Sequence, residues 1–118
     1  MKPIELIARI MYAIPMIMAG VVHFSKSSMV ARMVPKYLPA KEVWVYVTGI
    51  GFILASIAII INKKSRIAAI SLGVMLLLFA LMIHLRGFLK GVPLASSLFL
   101  RDISLAGASF FIAAKSKD

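Results

Sequence analysis

Five residues of this 118-residue chain combine a reactive type with an apolar neighbourhood: His23, Glu42, His84, Arg101 and Asp102. An imidazole can take up or release a proton near neutral pH, a carboxylate accepts hydrogen bonds, and a guanidinium holds an anion. Together they suit a polar pocket in which His23 or His84 moves a proton or binds a polar head group while Arg101 holds an anion. The competing expectation is a structural hydrogen-bonding network. The chain has no cysteine, which removes thiolate metal sites and thiol relays. No His, Asp or Glu pair has the helical i, i+4 spacing of metal ligands, so no metal is expected. The eight methionines read as apolar filling rather than a soft copper site. No nucleophile elbow, phosphate loop or zinc helix motif occurs, and residue types alone assign neither a catalytic residue nor a cofactor.

The elements that must position these residues are membrane helices. Hydrophobic residues make up 62% of the chain and the mean hydropathy is +1.00. Soluble domains carry roughly 45 to 50% apolar residues, and a chain this short needs polar residues over most of its surface to dissolve in water. Here the polar residues gather at ends and short connections, so the solvent is lipid. A spanning helix needs about 20 largely apolar residues. Four stretches qualify, at about 3–23, 43–62, 67–85 and 94–114, and their continuous apolarity excludes the alternation of barrel strands. The expectation is an all-α, four-helix transmembrane bundle forming one domain over residues 1–118. A cleaved signal sequence is the alternative for the first stretch, but Glu5 and the lack of a small-residue cleavage site speak against it. Pro15 predicts a bend there.

Between the first two spans, Met29, Val30, Met33 and Val34 fall on one helical face, which predicts a short interfacial helix capped by Ser28 and ended by Pro35. Pro39 and Glu42 suit the start of the second span, and Trp44 and Tyr46 lie where aromatic anchors are common. The link 62–66 is so short that spans two and three must form an antiparallel hairpin. Residues 86–93 read as the last connection, with Gly87, Gly91 and Pro93 as breakers. Small residues one turn apart, Gly51 with Ala55, Ala69 with Gly73 and Ser104 with Ala108, predict close helix contacts within the bundle or between protomers.

Alternating helix directions bring all five polar residues toward one half of the membrane. The fourth span reaches bilayer length only by including Arg101 and Asp102, with Arg101 about 10 Å along the helix. Charges there need partners. Neighbours in sequence point about 100° apart on a helix, so the two are expected to pair with other helices rather than with each other. Glu5 and Arg9, one turn apart near the opposite surface, read as a local ion pair.

Fourteen Lys and Arg against four acids give a net charge of +10. Because these cations flank apolar runs, anionic lipid head groups fit them better than nucleic acid. Seven lie on the side of the termini and seven on the other, so charge alone does not set orientation. The densely basic 62–66 link favours cytoplasmic termini in the cell membrane.

The runs Ala19-Gly20-Val21-Val22-His23-Phe24, Met33-Val34-Pro35-Lys36-Tyr37-Leu38-Pro39, Val47-Thr48-Gly49, Phe79 to Leu85 and Leu100 to Gly107, in that order, resemble the DoxX-like membrane family. The resemblance implies a four-helix membrane fold and one of several roles: a subunit of quinone-linked sulfur oxidation, a partner in oxidative-stress complexes, or an assembly factor. Many relatives have a Glu shortly after the glycine of the second span, whereas Gly49 here is followed by Ile50, Gly51 and Phe52. That departure weakens acid-dependent chemistry. The expected function is therefore a non-catalytic partner subunit or assembly factor for other membrane proteins, with the membrane subunit of a quinone-linked oxidoreductase as the alternative. Expected partners are the lipid bilayer, other membrane proteins or a second copy, and a quinone or lipid-like ligand. A small transporter is a third possibility, limited by the room four helices offer.

Overall fold

The structure is a computed structural model describing residues 2–32 and 39–117. Helix α1 covers Pro3–Ser25 and α2 covers Ser27–Ala31. Helix α3 runs over Lys41–Ile61 and α4 over Ser65–Phe79; the latter continues through a π-helical turn, Ala80–His84, into α5, Leu85–Leu89. Helix α6 covers Pro93–Lys115. Four helices, Pro3–Ser25, Lys41–Ile61, Ser65–Leu89 and Pro93–Lys115, are long and apolar enough to cross a membrane, and no strand occurs among the described residues.

Helix ends follow local chemistry. Pro3 and Pro93 each open a helix where a backbone N–H has no partner to lose. Asn62 ends α3 in the left-handed region at φ 57, and the Lys63 N–H returns to the Ala58 carbonyl at 3.3 Å. Only Asn62, Lys63 and Lys64 separate α3 from α4, so the two form the expected hairpin. The last connection is shorter than residues 86–93. Gly87 lies inside α5, where its missing side chain admits Ala95 of α6, and Gly91 at φ 75 makes the turn. Ser28 does not cap α2; it lies within that helix, whose N-cap position is Lys26. Pro35 and the face positions Met33 and Val34 lie outside the described residues.

The core is apolar, with Phe52, Ile59, Leu72 and Leu76 buried between the helices, but polar groups are buried beside it and large apolar side chains also cover the outside. Buried positions include Arg9, Ser65, His84, Asp102, Ser109 and Ser116, while Met11, Met18, Leu54, Ile67 and Phe111 lie outward, each more than half exposed. In water such an outer surface would be unfavourable by about 25 cal/mol for each exposed apolar Å²; in lipid it carries no such cost. Helix α1 packs along α3, and α4 along α6, with the α3–α4 hairpin joining the pairs. Glycine permits the first contact: a Cβ on Gly20 would stand 2.6 Å from Ile53 and 2.8 Å from the Gly49 carbonyl oxygen. Gly73 performs the same service against the Phe110 ring between α4 and α6. Of the three small-residue pairs, Ala69 with Gly73 meets α6 as expected. Gly51 instead faces a cavity, and Ser104 with Ala108 is exposed on the outer face of α6.

Near the termini, polar clamps close α1 against the rest. Arg9 is buried, and all three of its guanidinium nitrogens donate hydrogen bonds, four in all. Nε donates to Glu5 Oε1 at 3.1 Å, Nη1 to the Ile59 carbonyl at 3.1 Å and Ser65 Oγ at 2.7 Å, and Nη2 to Ser116 Oγ at 3.1 Å with Glu5 Oε1 also 3.1 Å away. Ser65 bonds Ser116 at 2.9 Å, and Ser116 donates to the Ile112 carbonyl at 2.7 Å. The Ile59 carbonyl belongs to the last turn of α3, where helix geometry leaves acceptors unpaired. The local Glu5–Arg9 pair is thus one edge of a node touching α1, α3, α4 and the end of α6. Farther along α1, Tyr12 Oη bonds Ser109 Oγ and donates to the Leu105 carbonyl at 3.2 Å, making a second α1–α6 clamp.

Candidate functional site

Beyond Tyr12 the bundle opens around a cavity of about 930 Å³. Its walls are apolar over most of their extent, including Met16, Phe52, Met75, Phe79 and Leu105, with Trp44 among the lining residues. Four of the five singled-out residues line it as well: His23, His84, Arg101 and Asp102. Glu42 does not. It is exposed in the first turn of α3, so its place at the start of the second span leaves it outside the cavity rather than in the cluster.

His23 is positioned by its own helix and by a glycine opposite. Its Nδ1 lies 2.7 Å from the Ala19 carbonyl oxygen one turn back. Gly49 of α3 leaves the space that His23 Cβ needs, since a Cβ on Gly49 would come within 2.9 Å of it. The imidazole packs at a tilt on Phe52, centroids 5.3 Å apart, and Phe52 in turn meets Phe79 at 6.1 Å. Aromatic rings therefore connect the His23 wall to the residue just before the π turn.

That turn ends in His84. A π turn holds one residue more than the α-helix it interrupts, which re-aims the side chains it contains, and such turns occur often at functional sites. His84 is buried, and its Nε2 lies 3.4 Å from Asp102 Oδ2. Asp102 is itself 1% exposed, and its Oδ1 accepts from Arg101 Nη2 at 3.0 Å and Nε at 3.3 Å. Arg101 and Asp102 thus pair with each other, contrary to the expectation from their angular separation. The long arginine side chain, 58% exposed, spans that angle and brings its guanidinium back to the carboxylate. Asp102 also faces another helix, as expected, through His84. The His84 contact is electrostatic and off the line of a hydrogen bond: Asp102 Oδ2 has no hydrogen-bond partner among the described residues.

Chemically, the cavity offers an apolar volume with two imidazoles and one internally neutralised Arg–Asp pair on its walls. A charge pair of this kind is tolerable in an apolar setting because each member compensates the other. No cluster of three or more His, Asp or Glu positioned for a metal occurs among the described residues. The π turn and the Gly49 seat are the parts of the site that residue types could not announce. The run leading into the π turn, Leu76 to Ile83, carries no proline, glycine or polar residue, and His84 by itself does not mark such a turn.

Residues 12–89 match a family described as a domain of unknown function, DUF8561. The match includes His23, Glu42 and His84 and ends before α6, so Arg101 and Asp102 lie beyond it. No curated protein and no solved structure matches the chain.

Proposed function

The chain belongs to the DUF8561 family, and on that premise we propose that it is a multi-pass protein of the cell membrane that binds a lipid-soluble molecule non-catalytically between its helices. The observation that carries this reading is the 930 Å³ cavity with the His84–Asp102–Arg101 group on its wall. An apolar volume with a few convergent polar groups is the usual form of a small-molecule site, and this volume lies at the upper end of the common range of about 300 to 1,000 Å³. A quinone or a similar lipid is of the right chemistry, which agrees with the alternative that the DoxX-like resemblance implies. Non-catalytic binding is favoured because the described side chains supply no electron carrier of their own.

The outer face of α6 supports a second reading, in which the protein also associates with another membrane helix or a second copy. Ser104, Gly107 and Ala108 are exposed there, and a Cβ on Gly107 would meet nothing within 4 Å. Small residues on a lipid-facing surface let a partner backbone approach. The ligand reading is tested by extracting purified protein with organic solvent and identifying what co-purifies. A lipid-soluble molecule in near-stoichiometric amount is expected from wild type. Gly51→Leu should lose it while keeping the thermal stability of wild type, because a Cβ at Gly51 meets only Met75 Sδ at 3.9 Å before the side chain enters the cavity. Equal recovery of the molecule from both proteins would remove the cavity as its site.

A further inference from the structure

We infer that the molecule held in this cavity presents a hydroxyl, and that the site distinguishes a lipid-soluble alcohol or phenol from the same molecule with that oxygen capped. The inference rests on the ligand-binding reading and follows from the hydrogen-bond partner of His23. In a neutral imidazole one nitrogen carries hydrogen and the other accepts, and the partner of one nitrogen sets the role of the other. His23 Nδ1 lies 2.7 Å from a carbonyl oxygen. A carbonyl can only accept, so Nδ1 carries the hydrogen and Nε2 is the acceptor. His84 Nε2 faces Asp102 Oδ2 at 3.4 Å. That contact is not a hydrogen bond, so it does not fix which His84 nitrogen carries the hydrogen. The accepting Nε2 of His23 has no hydrogen-bond partner among the described residues.

His23 lines the cavity and so contributes an acceptor to it. The remaining polar lining adds donor capacity at Arg101, whose Nε and Nη2 are already given to Asp102, and a hydroxyl at Thr48, which can play either role. A ligand hydroxyl satisfies this set in both directions, donating to an imidazole while accepting from Arg101. An ether or a ketone can accept from Arg101 but leaves the His23 acceptor unpaired in a low-dielectric space, where an unmade bond is costly.

The test uses the single tryptophan, Trp44, which lines the cavity and reports occupancy by its emission. Protein in lipid nanodiscs is titrated with two matched pairs: farnesol and farnesyl methyl ether, and a decyl-substituted hydroquinone and its dimethyl ether. In at least one pair the hydroxyl compound should bind about tenfold or more tighter than its ether, the value of roughly one net hydrogen bond. The pair that shows the preference identifies an aliphatic alcohol or a phenol as the ligand. His23→Phe, which keeps the aromatic contact with Phe52, should reduce that preference. Equal affinity within both pairs, with saturable binding that Gly51→Leu abolishes, overturns the hydroxyl inference and leaves the cavity reading intact. No saturable response to any of the four overturns both. Long-range ¹H–¹⁵N spectra of the histidines give an independent check: Nδ1–H at His23 is expected, and the opposite tautomer there removes the basis of the inference.

Discussion

At the scale of single residues, one arginine holds more of the bundle together than its sequence neighbourhood suggests. Glu5 and Arg9 look self-sufficient because they stand one helical turn apart. The other Arg9 partners lie at Ile59, Ser65 and Ser116, 50 to 107 positions away, where no local pattern can reveal them. A buried guanidinium is stable only when its donors are satisfied, and removing it strands the acceptors arranged around it. Arg9→Ala is therefore expected to cost on the order of 3 kcal/mol, read as a lower unfolding temperature in detergent. Arg9→Lys should recover only part of this, since an ammonium has three donors and no planar fork. A variant as stable as wild type would show that the node is not needed to hold the helices. The His84–Asp102–Arg101 group was legible to a different degree. The apolar length of the fourth span places both charges inside it, but their mutual pairing depends on side-chain reach, which helical angles do not measure.

At the scale of elements, helix positions were readable because bilayer length and hydropathy are strong constraints: the observed spans begin and end within about four residues of those expected. The largest difference, the extension of the third helix to Leu89, has a local cause. Gly87 looks like a breaker in sequence, yet the structure uses its small size to admit Ala95, and the turn itself falls on Gly91. Small residues alone therefore do not say whether they break a helix, admit a neighbour or face lipid. The space around each one does, and this makes a paired prediction. Gly20→Ala places a methyl group against Ile53 and against the backbone carbonyl of Gly49, so α1 must move from α3 at a cost of about 1–3 kcal/mol. Gly107→Ala meets nothing within the chain and adds helix propensity, so it should be neutral or stabilising by up to about 1 kcal/mol. Thermal unfolding of both in the same detergent checks the contrast. Equal destabilisation would mean that lipid or a partner, rather than the α1–α3 contact, sets the cost of a side chain.

At the scale of the whole molecule, the long dimension of 42 Å is comparable to a bilayer with its head groups, about 40–45 Å. The two ends differ in character. The end with both termini is closed by the Arg9 node and the Tyr12 clamp, while the other half contains the cavity, so orientation decides from which leaflet a ligand reaches it. Counting cations does not decide the matter, because Arg9 and Arg101 are held within the helices by Glu5 and Asp102 and their removal from each side leaves the balance tied. Position decides better than number. Lys63, Lys64 and Arg66 crowd a three-residue link and the first turn after it, all exposed, and Lys2, Lys115 and Lys117 join them at the same end. Short, densely basic connections are the ones that are retained in the cytoplasm. Both termini and Lys64 are therefore expected on the cytoplasmic side, with the cavity toward the outer leaflet. Topology reporters fused after Asp118 and inserted at Lys36 should give opposite compartments, cytoplasmic for the first. A cytoplasmic signal at Lys36 with an external one at Asp118 would invert the molecule, placing the cavity in the inner leaflet without altering the four helices. Cytoplasmic signals from both would contradict the four crossings themselves.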